Sequence, residues 1–347
     1  MNSCSHFSFR CNAVQLTSYS SSALVYLLGL FLILNNPASL VAAQEPTQTS
    51  LSPGAIRVNV DRVNVGVTVT GLHGNFVKGL RREDFRVFDN GVEQPVTGFL
   101  SIEEPAQVVL LLECGPAALF LKKSEFQAAD TLLDSISPVD RVAIVSYSKS
   151  PDLVVDFTAD KSEARTALRG MNFMGGVGEL NLASSIAATL DWLAALPGKK
   201  TIVLLSSGVD TSPAANWQMI EQKIKTSDVR ILAVSVAEFL RKYPRWRKLS
   251  PDEREARKYV KEMFAEADQS LRVLSEVTGG RVYFPKNAKE FNRAYAEISQ
   301  IVRQEYSLEF APLSLDGRVH SLKVTAKHSW YRVEYRQAYL ALPPASH

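Results

Sequence analysis

The sequence predicts an α/β protein in which a doubly wound, mostly parallel sheet is inserted into a small antiparallel β-sandwich formed by the N- and C-terminal segments. In the middle of the chain, continuous apolar runs alternate with segments of helical period, which is typical of parallel strands covered on both faces. On either side of this region, apolar and polar residues alternate with period two, as in half-buried strands. With 347 residues, 46% of them hydrophobic, the chain can form one large and one smaller unit.

The N-terminal segment, residues 1–43, is predicted to be a signal peptide. Arg10 gives it a positive start, the apolar run Ala23–Leu34 follows, and a small-residue stretch ends at Ala43, where cleavage is expected. The apolar run is shorter than the ~20 residues of a bilayer-spanning helix. We therefore expect a secreted, periplasmic or cell-envelope protein without a stable membrane span after cleavage. Retention of the segment as an N-terminal anchor is the alternative.

The net charge and the numbers of histidines and cysteines exclude some classes of partner and argue against disulfide cross-links. The formal net charge of +3 is too small for nucleic acid or an anionic membrane to be the main partner. Five histidines and three cysteines leave little material for a zinc site. Cys4 and Cys11 lie in the predicted signal peptide, so the exported chain would keep only Cys114 and could form no intrachain disulfide. Its stability must then come from core packing.

Residues 44–55 are polar and proline-containing, which predicts a flexible leader, and residues 56–103 carry the first β signals. Valines and isoleucines alternate from Ile56 onward, with an extra residue at Asp61-Arg62 that indicates a bulge or a break between two strands. Another strand is predicted at Phe85–Phe88. Asn90-Gly91 is a two-residue hairpin signal before a strand at Val92–Phe99. These residues predict a small antiparallel unit.

Residues 104–304 are predicted to form the α/β domain. Its buried strands are predicted at Val108–Leu112, Val142–Ser146, Thr201–Ser206 and Ile231–Val236. Its helices are predicted at Lys123–Ser135, Ser162–Leu168, Leu182–Leu196, Trp217–Lys225, Arg272–Val277 and Phe291–Gln304. Gly279-Gly280 reads as a helix stop before an edge strand at Val282–Phe284. Alternating strands and helices imply right-handed crossovers.

A charge-rich insertion is predicted at residues 239–268, with a helix at Pro251–Glu266. Its basic cluster surrounds Tyr243 and Trp246, a composition favoured at binding hot spots. Acidic residues follow at once, so the cluster is either a partner surface or a solvated helical arm.

The C-terminal segment, residues 305–341, returns to β character. Apolar residues recur with period two, and Asp316-Gly317 is a turn signal between strands. The order along the chain is therefore a β unit, an α/β unit and a β unit. We expect the two β parts to pair into one sandwich, with the α/β domain inserted between them.

Six stretches, in this order and spacing, resemble the von Willebrand factor type A (VWFA) domain, and the flanking parts resemble the VWFA-related domain of acidobacterial secreted proteins. They are Val63–Gly98, Pro105–Cys114 (PAQVVLLLEC), Asp140–Ser146 (DRVAIVS), Leu204–Thr211 (LLSSGVDT), Thr278–Phe284 (TGGRVYF) and Glu305–Leu308 (EYSL). The resemblance implies a Rossmann-like sheet with a divalent cation at the C-terminal edge of its strands. In the family an Asp-x-Ser-x-Ser loop, a Thr and an Asp hold that cation.

In this chain the family's metal-binding pattern is mostly replaced. Glu113 takes the place of the first Asp, while Gly115 and Ala117 take the places of the two serines. Gly178 falls at the Thr position and Ser207 at the last Asp. Because Mg²⁺ requires near-octahedral oxygen ligation, we expect no metal and no other cofactor, or at most weak Mg²⁺ binding.

Two alternatives remain for the polar residues at this edge. Glu113, Glu179, Ser207 and Asp210 could assemble a different oxygen-rich site, in which Glu113, Ser207 and Asp210 would hold a metal. Otherwise they are solvated loop residues, as acidic side chains usually are.

No motif for catalysis is found. Cys114 follows a strand and precedes a predicted helix, where a thiolate is stabilised. A nucleophilic cysteine also needs a base, and His73, His320 and His328 all fall in the β parts, far from this edge. Glycines 175, 176 and 178 form no dinucleotide fingerprint. We therefore expect a buried structural thiol and no enzyme.

The sequence thus favours a secreted, non-enzymatic binding or adhesion module with an unidentified protein partner and metal-independent recognition. A metal-dependent adhesion domain with substituted ligands, and an enzyme with Cys114 as nucleophile, are the other two hypotheses. The partner is expected at the C-terminal edge of the parallel sheet. The predicted rim residues there are Glu113, Cys114, Gly115, Gly178, Glu179, Ser207 and Asp210.

Overall fold

A computed structural model describes residues 62–72, 74–102, 105–115, 130–134, 136–171, 178–212, 216–238 and 251–343. The predicted signal peptide, the leader and the strand expected from Ile56 lie outside these residues. So do His73, Pro116, Ala117, residues 123–129 of the predicted helix Lys123–Ser135, residues 172–177 and the basic cluster of the insertion, residues 239–250.

The described residues contain fourteen strands, one 3₁₀ helix and five helices with defined ends. The strands are β1 (Val63–Thr70), β2 (Phe85–Asp89), β3 (Val92–Gln94), β4 (Val96–Ile102), β5 (Ala106–Glu113), β6 (Arg141–Tyr147), β7 (Pro151–Thr158), β8 (Lys199–Ser206), β9 (Arg230–Ser235), β10 (Val282–Tyr283), β11 (Glu305–Phe310), β12 (Val319–Ala326), β13 (Arg332–Glu334) and β14 (Ala338–Leu340). The helices are α1 (Lys161–Gly170), α2 (Leu182–Ala194), α3 (Trp217–Thr226), α4 (Pro251–Val277) and α5 (Ala288–Arg303). The 3₁₀ helix is Arg82–Asp84, and residues 130–134 are also helical.

The central sheet has the strand order β10-β9-β8-β5-β6-β7, and all its pairings are parallel except that of β7 with β6. Alternate residues of β5 enter two separate cores: Val108, Leu110 and Leu112 face one, while Val109 and Leu111 face the other. Helices α1 and α5 cover the first face, and α2, α3 and α4 cover the second. The predicted doubly wound α/β fold is confirmed.

Three elements differ from the sequence prediction. The strand predicted at Val92–Phe99 is instead two strands, β3 and β4, which belong to different sheets. The antiparallel edge strand β7 was not predicted because its residues are mostly part-exposed, without a strict alternation or a continuous buried run. The third difference concerns α4, which is one helix of 27 residues rather than two helices on either side of residue 268. Its C-terminal half buries Leu271 and Leu274 against the sheet, so the charge-rich arm continues directly into a core helix.

The N- and C-terminal strands pair with each other in two antiparallel sheets. One sheet has the order β13-β1-β11-β4 and the other β14-β12-β2-β3. Both contribute to one apolar core, which includes Val67 from β1, Val87 from β2, Tyr306 from β11 and Val324 from β12. The expected pairing of the two β parts around the α/β unit is therefore confirmed.

Capping residues define where four of the helices begin, and the glycine pair Gly279-Gly280 defines where α4 ends. Asp160, Asn181, Asn216 and Asn287 each precede a helix, and their side chains accept hydrogen bonds from backbone N–H groups of the first turn. Gly279 after α4 has φ 72°, and a Cβ on Gly280 would lie 1.8 Å from the carbonyl oxygen of Ile231. The predicted helix stop therefore requires glycine for close packing against β9.

Candidate functional site

Three adjacent strands of the parallel sheet end in polar side chains that meet at one edge. Strand β5 ends at Glu113, β6 at Tyr147 and β8 at Ser206, with Ser207 following directly. Glu113 and Tyr147 are register partners, and Leu112 is paired with Leu205 one residue before the ends of β5 and β8. In-register parallel pairing therefore brings these side chains together, and we call Glu113, Tyr147, Ser206 and Ser207 the rim cluster.

Glu113 is the centre of the rim cluster and is only 5% exposed. Its Oε2 accepts hydrogen bonds from the backbone N–H of Ser207 at 2.7 Å and from the Ser207 hydroxyl at 2.8 Å. The same oxygen lies 3.1 Å from the donating Ser206 hydroxyl and 3.2 Å from the Tyr147 hydroxyl. Oε1 accepts from the Ser207 hydroxyl at 3.0 Å. The buried carboxyl group at the end of β5 therefore connects the ends of β6 and β8 by hydrogen bonds.

The electrostatics of the cluster follow from its burial. Burial raises the pKa of the Glu113 carboxyl, and the hydrogen bonds from Ser207, Ser206 and Tyr147 oppose this rise. Burial, followed by the nearby charge of Glu113, raises the pKa of the Tyr147 hydroxyl well above its usual range. The Tyr147 and Ser206 hydroxyls are 2.6 Å apart. Tyr147 therefore remains protonated and acts as a hydrogen-bond donor.

The segment after Ser207 is held in place by close packing against α4 and by hydrogen bonds of the Asp210 side chain. Gly208 has φ 77°, and a Cβ there would lie 2.6 Å from the carbonyl oxygen of Ala267 on α4. Asp210 accepts from the backbone N–H of Ala183 at 2.8 Å and of Ser212 at 2.9 Å. Both Asp210 oxygens are thus used to fasten this loop to the start of α2, close to the positive end of the helix dipole.

The open part of this edge consists of other loop residues. Gly178 and Thr211 are exposed, and Glu179 is half-buried. Lys149, in the loop after β6, has a side chain that is 79% exposed and lies 3.8 Å from a carboxylate oxygen of Glu179. We call Lys149, Gly178, Glu179 and Thr211 the open rim. Of the seven predicted rim residues, Gly178 is exposed, Cys114, Glu179 and Asp210 are half-buried, and Glu113, Gly115 and Ser207 are buried.

The residues of this edge do not fit the cation that the VWFA resemblance implies. Glu113 is buried, and four groups of Tyr147, Ser206 and Ser207 lie within hydrogen-bond distance of its Oε2, so this oxygen is enclosed by protein donors and not open to a cation. A Cβ on Gly115 would lie 2.8 Å from Leu180 Cδ2 and 3.3 Å from Glu113 Oε1, so a serine at this position would require the Leu180 side chain to shift. Within the described residues, no three His, Cys, Asp or Glu side chains are grouped so that they could hold a metal ion.

Cys114 is half-buried and packs against the core on the α1–α5 face. Its backbone N–H donates to the carbonyl oxygen of Tyr147 at 2.7 Å, which continues the β5–β6 pairing beyond Glu113. The two histidines that the structure describes lie in the sandwich. His320 on β12 contacts Asp89, Asp316 and Tyr339, and His328 stacks on Trp330. Neither is placed to act as a base for this thiol.

Two members of the rim cluster, Tyr147 and Ser206, were not identified from the sequence. Each is the last residue of its strand, and in parallel register the last residues of adjacent strands lie side by side. Polar residues at the ends of predicted buried strands are the sequence signal for both, whereas the family's ligand positions include neither residue.

Comparison with known proteins identifies the α/β region. The family model described as von Willebrand factor type A domain matches residues 121–209. Residues 121–209 are therefore similar to a von Willebrand factor type A domain, in agreement with the resemblance found in the sequence. No curated protein matches the chain in sequence.

Several solved structures are similar to this chain at low identity. A von Willebrand factor type A protein from Catenulispora acidiphila is 12% identical, with a TM-score of 0.42, and the match covers 74% of this chain and 71% of that one. An aerotolerance-related membrane protein from Bacteroides fragilis is 13% identical, with a TM-score of 0.38 and coverage of 57% and 98%. Proximal thread matrix protein 1 from the mussel byssus, with zinc in its MIDAS motif, is 12% identical, with a TM-score of 0.41 and coverage of 58% and 48%. In the described part of this chain, no helix is long and apolar enough to cross a membrane.

Proposed function

We propose that the chain is an exported, non-enzymatic protein-binding module of the adhesion type, which engages its partner through the open rim without a bridging cation. The single observation that carries this proposal is the burial of Glu113, with its Oε2 within hydrogen-bond distance of Tyr147, Ser206 and Ser207. A cation-dependent site needs carboxylate oxygens that face an open coordination position. Here the carboxylate at that place is used within the protein.

Recognition then depends on the surface that the edge exposes. Lys149 and Thr211 offer a cation and a hydroxyl, and Gly178 leaves space for close approach by a partner backbone. The ion pair between Lys149 and Glu179 is exposed and weak, so a partner carboxylate can replace Glu179 at little cost. The rim cluster beneath holds three strand ends in place, which keeps the loops of the open rim fixed relative to one another.

Export is part of the proposal and is supported by the N-terminal sequence. The positive start, the apolar run Ala23–Leu34 and the small residues before Gln44 form the pattern of a secretory signal. Residues 62–343 then form the exported binding module, which needs no disulfide for its core.

Affinity capture from envelope extract tests the function. We expect the full chain to retain the same partner in EDTA as in Mg²⁺. Lys149→Glu should reduce retention about tenfold, because a reversed charge at a contact costs on the order of 1.4 kcal/mol. Lys78→Glu is the matched control, since Lys78 is also an exposed lysine but lies in the sandwich.

Each other outcome points to a different function. Loss of the partner in EDTA and recovery in Mg²⁺ or Mn²⁺ would support a metal-dependent adhesion domain instead. If Lys149→Glu and Lys78→Glu retained equal amounts of the partner, the open rim would not be the binding surface. An activity of the chain that is lost on thiol blocking would support the enzyme hypothesis.

A further inference from the structure

At the opposite edge of the parallel sheet, where it meets the sandwich, the structure contains a polar cavity of about 230 Å³. It lies at the starts of β8 and β9, against β1 and β11. Six charged side chains line it: Lys199, Lys200, Asp228, Arg230, Glu305 and Arg336. We call this space the junction cavity. None of its charged residues belongs to the rim cluster or to the open rim.

The two carboxylates of the junction cavity are already paired with three of its four cations. Glu305 Oε1 lies 2.6 Å from Arg230 Nη2, and Glu305 Oε2 lies 3.3 Å from Lys199 Nζ. Asp228 lies 2.7 Å from Lys200 Nζ. Four cations against two carboxylates leave a formal excess of two positive charges on the cavity wall.

Arg230 is only 7% exposed, yet its hydrogen bonds are incomplete. Its Nη1 donates to the Thr68 hydroxyl at 2.8 Å and its Nη2 to the carbonyl oxygen of Gly66 at 3.1 Å. The Nε–H is buried and has no partner among the described residues. A buried guanidinium N–H without an acceptor is unfavourable, because its hydration has been lost and not replaced.

Arg336 has the second buried N–H without a hydrogen-bond acceptor, and its charge has no paired carboxylate among the described residues. Its Nη2 donates to the carbonyl oxygen of Asn64 at 2.7 Å, while its buried Nε–H has no acceptor. Within the described part of the chain, no carboxylate lies within ion-pair distance of this guanidinium. Burial lowers the pKa of Arg336, with Asp228 giving only partial electrostatic compensation. The surroundings therefore leave its positive charge incompletely compensated.

We propose that the junction cavity binds a small oxyanion, a phosphate or carboxylate group, between Arg230 and Arg336. Such a group has several acceptor oxygens, so one anion can satisfy both unpartnered Nε–H donors and offset the excess charge. Guanidinium groups bind oxyanions more strongly than they bind neutral acceptors, because the hydrogen bonds are charge-assisted. The bound anion would also link the α/β unit to the sandwich, since Arg230 begins β9 and Arg336 follows β13.

Calorimetric titration of the full chain with inorganic phosphate, and separately with malonate, tests this proposal at constant ionic strength. We expect saturable one-to-one binding of at least one probe, accompanied by a rise in Tm of several degrees at saturation. Arg336→Gln should weaken binding at least tenfold. Arg318→Gln should leave it unchanged, because it removes the same charge from an exposed position outside the cavity.

The two probes separate the sources of the anion. Binding of phosphate alone assigns the site to a phosphate group, and binding of malonate alone assigns it to a carboxylate. Binding of neither probe would overturn the proposal, as would equal binding by wild type and Arg336→Gln. If Arg336→Gln does not fold, wild-type crystals soaked in selenate decide the matter. An anomalous peak beside Arg230 and Arg336 is expected, and its absence refutes the site.

Discussion

At the C-terminal edge of the parallel sheet, Glu113 is buried and four groups lie within hydrogen-bond distance of its Oε2. At the N-terminal edge, Arg230 is almost as buried, but one of its N–H groups has no acceptor, and neighbouring Arg336 has no carboxylate partner among the described residues. The buried carboxyl of the first edge therefore has hydrogen-bond partners within the protein, whereas the buried guanidinium groups of the second edge each keep an N–H for which the described residues supply no acceptor. We therefore expect mutations of Glu113 to change the free energy of unfolding more than a mutation of Arg336 does.

The largest effect is expected for Glu113→Ala. This change removes the acceptor for Tyr147, Ser206 and Ser207 and leaves buried donors without partners. Each buried donor left unsatisfied costs about 1–3 kcal/mol, so we expect a loss of about 3 kcal/mol after partial relaxation. Urea denaturation measures the change. A loss below about 1 kcal/mol would show that the rim cluster is not an integrated network.

A smaller, pH-dependent effect is expected for Glu113→Gln. The pKa of Glu113 is raised in the folded state above its ordinary value of 4.5. The folded state then binds this proton more tightly than the unfolded state, so the wild-type free energy of unfolding should fall as pH rises from 4.5 to the folded pKa. Above that pKa the carboxyl is ionised in both states, so the free energy of unfolding should no longer change with pH because of this group.

Glutamine cannot ionise, so the variant should lack this decrease. The difference in stability between wild type and Glu113→Gln, followed by denaturation from pH 4 to pH 8, should therefore fall as the pH rises above 4.5. A difference that is constant over this range would mean that the carboxyl titrates alike in both states.

The smallest effect on stability is expected at the other edge, for Arg336→Gln. Replacing a guanidinium that lacks a counter-ion removes an unfavourable charge along with one hydrogen bond to Asn64. We expect a change of about 1 kcal/mol or less in anion-free buffer, because these contributions oppose each other. A scanning thermal denaturation checks this. A loss as large as that of Glu113→Ala would show that Arg336 is already satisfied within the protein.

The fold could be predicted from the sequence where burial is uniform. The runs that became β5, β6, β8 and β9 are apolar on both faces, since helices cover both sides of the sheet. The prediction failed where exposure varies along an element. Strand β7 was missed for this reason, and the charged first half of α4 concealed its continuity with the buried Leu271 and Leu274.

The candidate site was predicted only in part. The position of Glu113 and Ser207 at the sheet edge follows from the strand ends, but their burial does not. It depends on the longer Glu side chain reaching across to the β8 loop and on Tyr147 closing the cluster. The junction cavity could not be predicted, because Arg230 and Arg336 are separated by more than a hundred residues and line the same cavity only through their contacts with β1 in the folded chain.

A crystal structure of the chain grown or soaked in Mn²⁺, with anomalous diffraction measured at the C-terminal edge of the sheet, tests most directly whether this edge recognises its partner without a cation. We expect no anomalous peak there, and Glu113 Oε2 within hydrogen-bond distance of the Ser207 backbone N–H. A Mn²⁺ ion about 2.2 Å from the oxygens of Glu113 and Ser207 would contradict it.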